Sequence, residues 1–150
     1  MGAIARELVR LSGPDAVHGV IPYALERYEA QVRGPAAAQR DGAAYGRKTI
    51  VQDMHSRKQM MHECVYRGAP GSGFVALSGG YGTSEELLEA ATWKQLGIHD
   101  KPVCVYNVDG FYDGLLSWVG KSVSQGFIPS CDAGVLGCAA SASEVVDWML

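Results

Sequence analysis

The chain has 150 residues, 47% of them hydrophobic, with a formal net charge of -3 and a sequence pI near 5.8. That is enough apolar material for one domain, residues 1–150, with its own core, and the acidic balance gives no general case for a nucleic-acid partner. No apolar run approaches the ~20 residues of a membrane span and the N-terminus has no signal-peptide pattern, so no membrane partner and a cytoplasmic location are expected.

Ala3 to Leu11 has helical periodicity through Ile4, Leu8 and Leu11, and it stops at Gly13-Pro14. An apolar strand is expected over Ala16 to Ile21, ended by Pro22. A helix feeding a strand looks like entry midway through a β-α-β unit. Tyr23 to Val32 has room for a helical turn or two, Gly34-Pro35 breaks it, and the small, polar stretch to Gly46 reads as a long surface loop. Arg47 to Gln52 is the next strand, and Asp53 is the expected N-cap of a helix over Met54 to Tyr66. Its first turns carry Arg57 and Lys58. Cations there oppose the helix dipole by ~0.3–1 kcal/mol each, so the two read either as a solvated pair matched to Glu63 or as holders of an anion.

Gly68 to Gly73 links into Phe74-Val-Ala-Leu77, a short apolar run suited to a strand covered on both faces. Gly79, Gly80 and Gly82 follow, and glycine admits positive φ and close approach of a ligand to the backbone. Thr83 stands at capping-box spacing from Glu86, and Leu87, Leu88, Ala91 and Leu96 carry helical periodicity on to Gly97. A strand, a glycine turn and a helix start together make an anion site, because unpaired N–H groups and the helix dipole face the ligand.

Pro102 leads into a strand over Val103 to Asn107, where Cys104 reads as a buried thiol. Cys64, Cys131 and Cys138 are scattered without CxxC spacing, which favours reduced thiols over a zinc site or a disulfide scaffold. A helix is expected over Gly114 to Ser124 with Leu115, Leu116, Val119 and Val123 inward, then an irregular stretch from Phe127 to Val135 with room for a last edge strand. Ser141 and Glu144 repeat the capping-box spacing and open a helix through Trp148. This alternation predicts a doubly wound α/β sheet whose ligand sits outside the carboxyl ends of the strands, where Asp53–Lys58 and Ser78–Glu86 both fall.

The spacing narrows the ligand. A dinucleotide fingerprint starting at Gly80 and Gly82 would need glycine where Glu85 stands, and no Gly-Lys-Ser/Thr follows the turn as in a P-loop. The loop therefore suits one monophosphate, with a carboxylate kept for something other than phosphate. No Ser–His–Asp arrangement and no His pair with metal-ligand spacing stands out; His55 and His99 read as structural. On spacing alone Glu86 is a capping-box glutamate.

Val51-Gln-Asp-Met-His-Ser-Arg-Lys58, Gly79-Gly-Tyr-Gly-Thr-Ser-Glu-Glu86, Thr92-Trp-Lys-Gln-Leu-Gly-Ile-His-Asp-Lys-Pro102 and Asn107-Val-Asp-Gly-Phe-Tyr-Asp-Gly-Leu-Leu116 resemble the LONELY GUY family. These are cytokinin-activating phosphoribohydrolases often labelled lysine decarboxylase-like. The resemblance runs from Met1 to about Ile128, and the link Gly68–Gly73 looks most like that of fungal members. It implies a Rossmann-like doubly wound parallel sheet, a homodimer, no cofactor and no metal. The implied activity is hydrolysis of a cytokinin or adenine riboside 5′-monophosphate to free base and ribose 5-phosphate.

The family motif P-G-G-x-G-T-x-x-E falls on Ser78 to Glu86, with Ser78 in the proline's place. The family's essential Arg and Glu fall on Arg57 and Glu86, and substrate contacts on Glu29, Lys58, Gly79, Gly80, Tyr81, Gly82, Thr83, Ser84, Glu85 and Thr92. The resemblance also sets Met1-Gly2 against the end of a glycine-rich turn, so the sheet is expected to lack its first β-α-β segment. A catalytically inactive nucleotide-binding or partner-binding remnant is the alternative expectation. A pyridoxal-dependent decarboxylase is disfavoured, because no lysine has a recognisable Schiff-base setting.

Overall fold

The computed structural model describes residues 2–33 and 42–150, with the side chains of residues 29, 30, 32, 33, 42 and 43 outside the description. It is an α/β protein with parallel pairing and strands alternating with helices, of Rossmann-like type. The chain divides within one helix into two compact units, Met1–Glu63 and Cys64–Leu150.

In the first unit, helix α1 (Gly2–Ser12) follows the Ile4, Leu8, Leu11 period and carries an Arg10–Glu7 ion pair one turn apart. A 3-10 turn at Pro14–Ala16 delays strand β1 to His18–Pro22, two residues later than expected. The next helix, α2 (Tyr23–Arg33), runs for 11 residues rather than a turn or two. Its Ala, Leu, Glu, Arg and Gln are strong helix formers, and Glu26 in its first turn favours the dipole. Strand β2 (Arg47–Val51) pairs parallel with β1 from His18↔Arg47 to Pro22↔Val51. Lys48 Nζ reaches Glu26 at 2.7 Å, which ties α2 to β2. Helix α3 (Met54–Tyr66) begins after Val51 as the sequence predicts and carries the chain into the second unit.

The second unit holds the core. Strand β4 (Val103–Tyr106) lies between β3 (Phe74–Ala76) and β5 (Leu136–Ala139), all parallel. Val103, Cys104 and Val105 are fully buried at its centre. Val103 and Val105 form a cluster with Ala76, Leu87, Ala90 and Tyr112, and Leu115 and Leu116 of α5 (Asp113–Ser124) pack against it. Burial raises the Cys104 thiol pKa, with Cys138 adding to the shift, and all four cysteines are free thiols.

The last strand corrects an expectation: it lies at Leu136–Ala139, beyond the stretch Phe127–Val135 where room for it was seen. Its short Leu-Gly-Cys-Ala sequence has little β-propensity, and packing decides it instead. Trp148 of α6 (Ala142–Met149) lies over Gly137, where an added Cβ would sit 2.7 Å from the indole. The capping box at the start of α6 forms. Glu144 N–H donates to Ser141 Oγ at 3.3 Å, and the Glu144 carboxylate accepts from Ser141 Oγ and from Ala140 N–H. Among the described residues no helix is long and apolar enough to cross a membrane.

Candidate active site

Leu77 to Gly80 joins β3 to helix α4 (Tyr81–Gln95). The helix begins two residues before Thr83, with Gly80 as its N-cap and no side-chain cap. This corrects the expected capping box. Gly80 is an accepted N-cap residue, and its carbonyl takes the first helical bond, from Ser84 N–H at 3.1 Å. Thr83 instead turns its side chain back onto Gly79, where an added Cβ would collide with it.

Of the two uses expected of the loop glycines, positive φ is not found and open backbone is. Gly79, Gly80 and Gly82 are absent from the positive-φ positions. An added Cβ at Gly80 or Gly82 would meet nothing within 4 Å, so their lack of a side chain leaves the backbone open to approach.

The first turn of α4 contains no acidic residue. The N–H groups of Tyr81, Gly82 and Thr83 precede the first intrahelical bond and point out of the helix start, the geometry that receives an anion. The two carboxylates come in the second turn, Glu85 exposed and Glu86 half-buried. Helical rotation puts Glu86 on a stripe with Gly82 and Glu89, while Glu85 shares the neighbouring stripe with Thr92, which is exposed. Ser84 is half-buried, and Tyr81 is 98% exposed, its ring in solvent.

The other sequence-predicted residues lie in the first unit. Asp53 Oδ1 accepts from Ser56 N–H at 2.8 Å and Asp53 O from Arg57 N–H at 3.1 Å, so Asp53 caps α3 as expected. Arg57 stands in the first turn of α3, half-buried, and its Nε donates to Val20 O of β1 at 3.1 Å. That bond holds the guanidinium against the middle of β1. Lys58 is half-buried beside it in sequence. Glu29 falls within α2, and its side chain lies outside the described residues.

The Ser56 amide holds the Asp53 carboxyl below its ordinary pKa, with burial opposing. A lowered folded pKa means stability that is present above the unfolded value and lost as pH falls through the folded one. The gap in Tm between wild type and Asp53→Ala should therefore be widest above about pH 5 and narrow toward about pH 3. Thermal melts across that range check it; a gap independent of pH would show that the carboxylate's charge is irrelevant to the cap.

His99 is structural, as the sequence suggests. Lys101 N–H donates to Nδ1 at 3.1 Å, so Nε2–H donates to Ala90 O at 2.9 Å, and the ring lies 5.2 Å from Tyr66 and 5.5 Å from Phe74. His55 is exposed.

One group next to the loop was missed. Tyr112, 3% exposed, donates its hydroxyl to Leu77 O at 2.6 Å. Its own N–H donates to Asn107 Oδ1 at 2.7 Å, and Asn107 Nδ2 donates to Asp113 Oδ1 at 2.8 Å. The signal was the dense polar turn Asn107-Val-Asp-Gly-Phe-Tyr-Asp, too well provided with side-chain acceptors for a plain strand-to-helix link.

The family described as "possible lysine decarboxylase" matches residues 1–149. A bifunctional cytokinin biosynthesis protein of Fusarium pseudograminearum (strain CS3096) is 58% identical over 146 residues, 97% of this chain and 30% of that protein. A probable cytokinin riboside 5′-monophosphate phosphoribohydrolase of Oryza sativa subsp. japonica is 44% identical over 149 residues, 99% of this chain and 59% of that protein. A cytokinin riboside 5′-monophosphate phosphoribohydrolase of Arabidopsis thaliana is 42% identical over 146 residues, 97% of this chain and 60% of that protein. The chain thus spans between about a third and three fifths of the length of these relatives. With parallel α/β sheets, an open glycine turn at a helix start and a family match over almost its whole length, the chain belongs to the possible lysine decarboxylase, or LONELY GUY, family.

Proposed function

We propose that the chain is a phosphoribohydrolase that cleaves the N-glycosidic bond of a cytokinin or adenine riboside 5′-monophosphate, releasing free base and ribose 5-phosphate. The observation that carries this is the start of α4, which has no side-chain cap and no acid in its first turn but a half-buried Glu86 in its second. A phosphate suits the Tyr81–Thr83 amides. The names of the plant relatives, cytokinin riboside 5′-monophosphate phosphoribohydrolases, supply the substrate class.

The reaction breaks the bond between the anomeric carbon and the base nitrogen, through a sugar with oxocarbenium character. Water adds its hydroxyl to that carbon, and its proton ends on the base. Glu86 stabilises the developing positive charge and orients the water. Arg57 clamps sugar or phosphate oxygens, since a guanidinium is a hydrogen-bond donor rather than a proton donor to the leaving base. Glu29, Lys58, Glu85 and Thr92 are the further substrate contacts of this reading, with Gly79, Gly80 and Ser84 in the phosphate loop and the exposed Tyr81 ring free to stack on a base. The proposed setting is a cytoplasmic homodimer working as one domain.

Incubation of the 150-residue chain with isopentenyladenosine 5′-monophosphate, followed by chromatography, should give free base and ribose 5-phosphate in equal amounts. Parallel reactions with AMP read the base preference. Ribose 5-phosphate bound without any base release would favour the alternative, a nucleotide-binding protein without turnover. Neither release nor binding would end both readings.

A further inference from the structure

We propose that Tyr112 is a positioning residue for the phosphate loop, its hydroxyl fixing Leu77 so that the amides at the start of α4 select phosphorylated over unphosphorylated nucleosides. The inference rests on the phosphoribohydrolase reading for its substrate, and on the loop geometry for everything else.

The pairing of β3 with β4 ends at Ala76↔Val105, so the Leu77 carbonyl is the first one beyond the ladder. It has left the sheet and has not reached the helix, which begins after Gly80. Leu77 is half-buried, and a carbonyl at such a joint takes its partner from elsewhere. Tyr112 provides it at 2.6 Å and is 3% exposed, which leaves water little room to substitute. Burial raises the pKa of this hydroxyl, so it stays protonated and donates throughout the neutral range.

Tyr112 is itself held at both ends. Its N–H is bonded to Asn107 Oδ1, its carbonyl accepts from Leu116 N–H at 2.9 Å, and Asn107 N–H donates to Ala139 O of β5 at 2.8 Å. The turn between them is tight enough to put Asp109 at φ 52 and Gly110 at φ 71, left-handed backbone that such a short connection requires. A continuous chain of bonds thus runs from β5 through Asn107 and Tyr112 to Leu77, three residues ahead of the N-cap Gly80. The anchor is rigid on one side, and the loop glycines on the other supply no side-chain packing of their own. Phosphate selection by backbone N–H groups depends on their fixed direction, so the hydroxyl that fixes the loop acts on phosphate more than on the base.

Tyr112→Phe in the full chain removes that oxygen and keeps the ring. Amide exchange at Ser84 N–H, which is bonded to Gly80 O and so reports the loop, should quicken about tenfold while β4 is unchanged, the effect of losing one hydrogen bond. The ratio of kcat/KM for the riboside monophosphate to that for the riboside should fall about tenfold, whereas a loss of overall stability would lower both alike. Equal exchange in the loop overturns the proposal whatever the activity, and faster exchange with unchanged phosphate preference overturns it too. A wild-type chain that releases no base is instead a failure of the hydrolase reading. In that event Tyr112→Phe must still quicken loop exchange and weaken ribose 5-phosphate about tenfold, or the positioning role falls. Should Tyr112→Phe not fold, Asn107→Asp carries the same test, since it keeps the acceptor for Tyr112 N–H but sets a second carboxylate against Asp113.

Discussion

Glu86→Gln is expected to lower kcat for isopentenyladenosine 5′-monophosphate by about 10²–10³-fold, the range for losing one preorganised electrostatic group at a developing charge. Glutamine keeps the size and the helical position and removes only the charge. Ribose 5-phosphate should bind the variant as it binds wild type, since the proposed phosphate contacts come from the turn before Glu86. Glutamate is half-buried there, in the second turn of a helix whose first turn holds no acid, so on the proposed reading it does not compete for the first-turn amides. Steady-state rates with calorimetric binding separate the two effects. Turnover equal to wild type would remove Glu86 from the chemistry, and lost turnover together with lost binding would make it a binding residue only.

Arg57→Ala should lower kcat/KM by tens to about 10²-fold, which corresponds to a charge-assisted hydrogen bond of about 1.5–3 kcal/mol. The alanine also removes the Nε donor to Val20 O, so a urea melt must accompany the rates. Arg57→Lys distinguishes charge from geometry. Lysine restores a cation but has neither the planar fork nor an Nε–H to hold against β1. If Arg57→Lys works as well as wild type, only the charge matters; activity near that of the alanine variant makes the oriented guanidinium the requirement. An alanine variant within about twofold of wild type would exclude Arg57 from the substrate altogether.

Much of the fold was legible because local signals agreed with it. The α3 start carries Asp53, a good cap, and the α6 start carries the full Ser141/Glu144 box, and both form. The α4 start looked like a third case on spacing and is not one. Thr83 and Glu86 have the right separation, but the glycine before them lets the helix begin earlier, and spacing alone does not report where the first bond closes. The last strand escaped notice for another reason. Its Leu-Gly-Cys-Ala has the composition of a loop, and its ladder with β4 together with the indole of Trp148 packed on Gly137 makes it a strand. The proposed site is named in the sequence by its residues and less so by its supports. Arg57 and Glu86 are named by motif, whereas the bond from Tyr112 to Leu77 spans 35 positions of sequence, which no local pattern encodes.

The bare start of α4 has a thermodynamic consequence. Where Ser141 and Glu144 complete α6 from within the polypeptide, the bonds that would complete α4 come, on the proposed reading, from a solute. Such a helix has a stability set partly by concentration: a ligand at about a hundred times its Kd adds about 2.7 kcal/mol to the folded state. Substrate and the phosphorylated product, which share the phosphate, would then act as structural components of the protein as well as its reactants, and the chain would be at its sturdiest when it is in use.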